Sequence, residues 1–146
     1  MLPKRFVAAI VVIAGLVFLS LSTAAQTEEK FRARLSPVPI DATMRTNVTG
    51  KGSIAAVLAG RKLSITGTFE GLQGAATAAR LHQALATGVR GSAFHDLTVS
   101  RATAGTIAGS LELTPEQVES LKKGKLYVQI HSEKAPDGNL WGWLLR

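Results

Sequence analysis

Residues 125–145 read KLYVQIHSEKAPDGNLWGWLL, and this stretch decides the fold. Its first part alternates apolar and polar side chains with a period of two, which is typical of a strand with one buried face. A turn follows at residues 135–138, where Pro136 presets φ and Gly138 accepts a positive φ. The alternation resumes at Leu140, so the stretch predicts a closing hairpin in which Trp141 and Trp143 share one face.

The same alternation recurs upstream and predicts further strands joined by short turns. These strands are expected at residues 31–35, 52–58, 63–69, 94–99 and 105–113. Residues 75–85 are ambiguous, because their alanines favour a helix whereas their place among glycine-bounded strands favours a strand at 78–82. With the hairpin, about seven short strands are predicted.

One short helix is expected just before the hairpin. Thr114 is a suitable N-cap, Pro115 suits the first helical position, and Gln117 completes a capping box. Gly124 is placed to end the helix in the left-handed conformation. The predicted fold is therefore all-β: an antiparallel β-sandwich or partly closed barrel, immunoglobulin-like, with one short helix before the last hairpin.

The N-terminus has the features of an export signal. Lys4 and Arg5 precede an apolar run at residues 6–19, and small residues at Thr23 and Ala25 fit a signal-peptidase site. Residues 1–25 are thus predicted to be a signal peptide cleaved near Ala25, with 26–146 as the mature domain in a periplasmic or secreted location. The alternatives are cleavage one residue earlier, or a retained membrane anchor at the short limit of about 17–25 residues for a span.

Charge and composition exclude several classes of function. The chain carries 17 Lys and Arg against 10 Asp and Glu, but the cations are scattered rather than gathered into one dense face with stacking aromatics. Nucleic acid is therefore not the expected partner, and the cations are interpreted as a solvated basic surface. Weak attraction to an anionic lipid surface or to an acidic partner is left open as an alternative. The chain has no cysteine, which excludes disulfides, thiolate metal sites and cysteine nucleophiles.

The three histidines are the candidate metal ligands. His82 and His131 are expected on polar faces of strands, where two imidazoles could approach copper or zinc. A third ligand could come from His95 or Asp96. Arg80 would repel a cation, and cross-sheet hydrogen bonding of the two histidines is the simpler interpretation, so no bound cofactor is expected.

Several segments resemble the CHRD (chordin-type) domain family. The matching stretches are FEGLQG at residues 69–74, AARLH at 78–82, LTPEQV at 113–118, GKLYV at 124–128, HS at 131–132 and PDGNLWG at 136–142. The chain departs from the family pattern at Arg80, Gln129 and Trp141, where His, Asn and Arg are usual. The resemblance implies an exported β-barrel or immunoglobulin-like sandwich with no established catalytic activity.

Motifs for catalysis are not found in the sequence, so the chain is expected not to be an enzyme. If the leucines of the last strand face the core, Trp141 and Trp143 form an outer apolar patch with Tyr127, unless a loop covers them. The leading hypothesis is a binding or accessory module that docks on a protein partner or a membrane-associated complex. The alternative is a metal-binding or redox-protective protein using His82 and His131.

Overall fold

Residues 26–146 form eight strands and one helix, as described by a computed structural model. The predicted signal peptide at residues 1–25 lies outside the described residues. In chain order the elements are β1 (Glu28–Pro37), β2 (Lys51–Ala59), β3 (Lys62–Glu70), β4 (Ala76–Gln83), β5 (Ser92–Val99), β6 (Gly105–Glu112), α1 (Pro115–Lys122), β7 (Leu126–Ser132) and β8 (Leu140–Trp143). Every predicted strand is confirmed, and residues 75–85 resolve as a strand rather than a helix.

The strands form a closed antiparallel barrel in the order β1-β2-β3-β6-β5-β4-β7-β8. Closure depends on β1, whose first eight residues pair with β2 while Ser36 and Pro37 pair with Trp141 and Leu140 of β8. The predicted sandwich or immunoglobulin-like alternative is therefore wrong, and the barrel is closed rather than partly closed. Alternation along each strand is the same in both architectures, and only the long-range pairing of β1 with β8 distinguishes them.

The barrel interior is filled by one face of each strand. In β1 the buried residues Phe31, Ala33 and Leu35 alternate with exposed ones, and the same pattern runs through β2 and β3. Side chains from all eight strands and Leu121 of α1 join in one apolar cluster. Such a filled interior leaves the outer face of the barrel as the place for interactions with other molecules.

The predicted capping box at the start of α1 is present. The Thr114 hydroxyl accepts a hydrogen bond from the Gln117 backbone N–H, and the Gln117 side chain accepts one from the Thr114 N–H. Gly124 adopts a φ of 71°, as predicted for a residue that ends a helix in the left-handed region. The helix thus turns the chain directly into β7.

The closing hairpin forms as predicted, but β7 is buried on both faces. Leu126, Val128 and Ile130 point into the barrel, while Tyr127 and Gln129 are also buried on the outer side. The loop at residues 38–50 packs against the neighbouring Trp141, and the loop at residues 84–91 bonds the Tyr127 hydroxyl through Gly91. A polar link holds the first loop in place, because the Asn139 amide donates to the Thr49 carbonyl at 2.8 Å.

Candidate functional site

Five aromatic side chains pack together on the outer face of β4, β7 and β8. The strand register pairs Tyr127 with Trp143 and with His82, and it pairs Gln129 with Trp141. The Tyr127 ring lies 4.6 Å from His82 and 4.4 Å from Trp143, between ring centroids. We call the group His82, Tyr127, His131, Trp141 and Trp143 the aromatic cluster.

Exposure divides the aromatic cluster into a surface and a support. Trp141 and Trp143 are half-buried, so each presents part of its ring to solvent. Tyr127 is only 1% exposed. The sequence placed all three residues on a contact surface, and the structure puts Tyr127 beneath the two tryptophans as their support.

Gly91 connects the loop at residues 84–91 to the aromatic cluster. The Tyr127 hydroxyl lies 3.1 Å from the Gly91 carbonyl and 3.0 Å from the Gly91 N–H, so it donates to the first and accepts from the second. The same carbonyl lies 2.9 Å from His82 Nδ1. A Cβ at Gly91 would lie 1.9 Å from the Gln83 carbonyl oxygen, so only glycine fits here.

The outer edge of Trp141 is bordered by both loops. The Arg90 guanidinium lies 5.5 Å from the Trp141 ring centroid, within the range of a cation–π contact. Trp141 also packs against a small apolar cluster of Val38, Val48 and Ala135. The alternative that a loop covers the tryptophans therefore holds in part, because the loops frame the two rings and leave their remaining surface open.

Each of the two candidate metal ligands has one ring nitrogen held by the backbone. His82 Nδ1 contacts the Gly91 carbonyl at 2.9 Å and His131 Nδ1 contacts the Pro136 carbonyl at 2.8 Å. Since a carbonyl only accepts, both Nδ1 atoms carry the proton and both Nε2 atoms present a lone pair. His131 Nε2 accepts from the Gln129 amide at 3.3 Å. Within residues 26–146, His82 Nε2 and Gln129 Oε1 are buried and have no hydrogen-bond partner.

The two imidazoles are brought together, but the predicted third ligands are not. The ring centroids of His82 and His131 are 6.5 Å apart. Asp96 instead pairs with Arg80 at 3.0 Å, and His95 lies opposite Leu81 in the β4–β5 register. Over the part of the chain that the structure describes, no group of three or more His, Cys, Asp or Glu side chains is placed to hold a metal ion.

Burial lowers the pKa of His82 below its ordinary value. The hydrogen bond to Gly91 opposes this shift, and electrostatic interactions with His131, Arg80 and Arg90 lower that pKa further. The imidazole of His82 is therefore neutral at neutral pH, and it stacks on Tyr127 as an uncharged ring.

Acidification is expected to lower the free energy of unfolding through His82. Because its folded-state pKa lies below the unfolded value of 6.5, the unfolded state binds the proton more tightly. The stabilisation that neutral His82 contributes is fully present above the unfolded-state pKa. It is lost as the pH falls toward the folded-state pKa. Urea midpoints between about pH 7.5 and about pH 5.5 should fall less in His82→Asn than in the wild type, and the matched His95→Asn should keep the wild-type slope. Equal slopes in all three proteins would contradict this assignment.

Four large apolar residues are exposed, and sequence reasoning missed them. We call Ile40, Leu85, Val89 and Leu145 the apolar rim; they are the exposed large hydrophobic side chains of residues 26–146. Leu85 and Val89 belong to the loop over the cluster, and Leu145 directly follows β8. The loop sequence ALATGVRG at residues 84–91 could have indicated two of them. A loop that only connects two strands is usually polar, whereas this one contains apolar residues.

Helices long and apolar enough to cross a membrane are not found among residues 26–146.

The comparisons with known proteins agree with the resemblance found in the sequence. The family model described as CHRD domain matches residues 31–144, which include all of β2 to β8 and most of β1. Neither the curated proteins nor the solved structures contain a match to the chain. The match extends from the first strand to the last and includes the whole aromatic cluster, and the chain therefore belongs to the CHRD domain family.

Proposed function

We propose that this protein is a non-catalytic, extracytoplasmic binding or accessory module, periplasmic or secreted, that docks on a protein partner or a membrane-associated complex. Trp141 and Trp143, with the apolar rim around them, form the docking surface. The observation that carries the proposal is a pair of partly exposed tryptophans on one strand, bordered by two loops that also carry exposed apolar residues. Exposed aromatic and aliphatic side chains on one part of a domain surface are typical of an interaction site.

The construction of the site favours binding over catalysis. The Tyr127 hydroxyl and His82 Nδ1 both bond the Gly91 backbone, so these polar groups hold the loop rather than face a substrate. The tryptophans are backed by Tyr127 and framed by loops, which fixes their rings in place. Rigid aromatic residues in such settings contribute disproportionately to binding energy.

Partner capture should depend on the tryptophan pair. Replacing Trp141 and Trp143 together with Ser is expected to reduce capture of partners from the extracytoplasmic fraction at least about tenfold, because buried aromatic anchors each contribute about 2 kcal/mol or more. Pull-down followed by protein identification measures the loss. Circular dichroism must show that the double variant remains folded.

A second pair of variants distinguishes loss of the docking surface from loss of folding. Leu85→Ser and Val89→Ser change exposed rim residues and should reduce capture while leaving stability unchanged. The matched control is Ala108→Ser on β6, on the side of the barrel opposite β8. Capture that is equal in the rim variants, the tryptophan variant and the control would refute the docking surface.

The second candidate function is metal binding by His82 and His131, in a periplasmic metal-binding or redox-protective protein using copper or zinc. It is favoured by the two Nδ1–H groups held on backbone carbonyls, which is the arrangement that orients Nε2 toward a metal in many sites. Metal analysis of purified protein at neutral pH tests it. Stoichiometric copper or zinc that is lost in His131→Ala supports this function, and metal-free protein removes it.

A further inference from the structure

The outer face of β1 carries three exposed cations in a row. Lys30, Arg32 and Arg34 alternate with the buried core residues of this strand, so all three point outward. The ion pairs found within residues 26–146 involve none of them. Glu28 begins the same face, which leaves the row with net positive charge. We call these three cations the basic row.

The basic row lies directly beside the docking surface. Ser36 pairs with Trp141, and a single bridge joins Arg32 to Leu145. By the same antiparallel register Arg34 and Trp143 lie opposite each other between these two pairs. An apolar stripe on β8 thus runs alongside a basic stripe on β1.

The apolar rim extends this surface around the barrel. Leu85 is 86% exposed, which is extreme for a leucine. Its loop is tied to the α1–β7 junction, because the Thr87 hydroxyl donates to the Gly124 carbonyl at 2.6 Å. A Cβ at Gly124 would in turn lie 2.9 Å from Leu145 Cδ2. On the other side, Arg90 lies over Trp141 and adds a further cation at the border of the patch.

We infer that this face docks on an anionic phospholipid bilayer. Tryptophans partly exposed beside protruding aliphatic side chains suit the interfacial zone of a membrane, and flanking Arg and Lys suit anionic headgroups. The inference rests on the proposed function, that the aromatic pair and its rim form the docking surface, and it names what that surface contacts.

The position of the N-terminus favours a bilayer over an acidic protein. The apolar run at residues 6–19 precedes β1, and β1 begins at the barrel end where Arg32 bridges Leu145 and Arg146 pairs with Glu29. A chain still attached to that run at a membrane meets the bilayer at the end of the barrel that carries Leu145. Charge complementarity then brings the basic row to anionic headgroups.

Tryptophan fluorescence tests the inference on the full chain. Trp141 and Trp143 are its two tryptophans, so the emission reports on the docking surface alone. The full chain is reconstituted in vesicles of phosphatidylcholine, with and without phosphatidylglycerol. We expect a blue shift and quenching by brominated lipid in the anionic vesicles only, and a reversal at about 1 M salt, where screening is nearly complete.

Matched variants distinguish the effect of the basic row from the effect of the protein's overall positive charge. Arg34→Gln should lower the partition constant onto the anionic vesicles about fivefold, as expected for the loss of one cation near the surface. Arg32→Gln combined with Arg34→Gln should lower it further. Arg101→Gln removes one exposed cation from the turn between β5 and β6, on the far side of the barrel, and should have no effect.

The outcomes distinguish the inference from the proposed function. Identical emission in both kinds of vesicle, or equal effects of Arg34→Gln and Arg101→Gln, overturns the lipid inference. A second outcome is identical emission in both kinds of vesicle together with loss of a protein partner in the double variant Trp141→Ser, Trp143→Ser. This outcome supports the docking surface and shows that a protein occupies it. If neither lipid nor protein contact depends on these residues, the inference and the proposed function both fail.

Discussion

Gly91→Ala is expected to lower the free energy of unfolding by about 3–5 kcal/mol, a large effect for one methyl group. The added Cβ would lie 1.9 Å from the Gln83 carbonyl oxygen and 2.6 Å from the Ala84 Cα, so the backbone has to move. That movement breaks the hydrogen bonds of Gly91 to Tyr127 and His82, which leaves buried polar atoms without partners. Urea unfolding monitored by tryptophan fluorescence measures the loss.

Gly88→Ala is the matched control in the same loop. Gly88 has a φ of 84°, so alanine is strained there, but no atom lies within 4 Å of its Cβ position. The control should therefore lose only about 1 kcal/mol. Equal losses in both variants would mean that the Gly91 contacts contribute nothing and that the loop is not held over the aromatic cluster as described.

Gly142→Ala is expected to open the junction between β1 and β8 and to cost about 2–4 kcal/mol. A Cβ on Gly142 would lie 2.6 Å from the Arg34 carbonyl oxygen and 3.1 Å from Leu35 Cδ2. The pairing of these two strands is short, so a local displacement has few other hydrogen bonds to resist it. Hydrogen exchange should accelerate at the Arg32 amide, which donates to the Leu145 carbonyl at 2.7 Å.

The control for this variant is Gly109→Ala on β6. Its added Cβ would meet the side chain of Leu97 at 2.5 Å, but the nearest backbone atom lies at 3.8 Å, so a rotamer change relieves the contact. A loss of less than about 1 kcal/mol is expected. If Gly142→Ala were tolerated as well as the control, the closure of the barrel at β1 and β8 would be in doubt.

Local structure was predictable because it depends on local chemistry. The capping box at Thr114 and Gln117 needs only residues three apart, and the alternation in 125–145 places Trp141 and Trp143 on one face whatever the rest of the chain does. The strand at β4 was harder, since alanine-rich residues 75–85 have helical propensity. Pairing on both sides, with β5 and β7, overrides that propensity in the barrel.

Long-range arrangement could not be predicted from those patterns. Closure requires β1 to pair with β8 as well as with β2, and no local signal in the sequence marks the pairing with β8. The burial of Tyr127 likewise depends on a loop that begins more than thirty residues earlier in the chain and contacts it through Gly91. The basic row was not recognised in the sequence, because its place beside Trp143 follows only from the closed barrel.

The candidate metal site was also only partly predictable from the sequence. The sequence pattern predicted that His82 and His131 lie on the polar faces of two strands, and the centroids of their rings are 6.5 Å apart in the structure. It also separates Asp96 from them through a salt bridge to Arg80. Side-chain partners such as these are set by strand register, including the irregularity between Leu81 and His82, which the sequence pattern does not reveal.

Site-specific photo-cross-linking in intact cells tests most directly whether this CHRD barrel docks through the face around Trp141 and Trp143. A photoreactive amino acid replaces Leu85, which is exposed and can be changed without loss of core packing, and in a parallel strain it replaces Arg101 on the far side of the barrel. The account predicts strong adducts, to lipid or to one protein, from position 85 and none from position 101. Adducts from position 101 alone would contradict it.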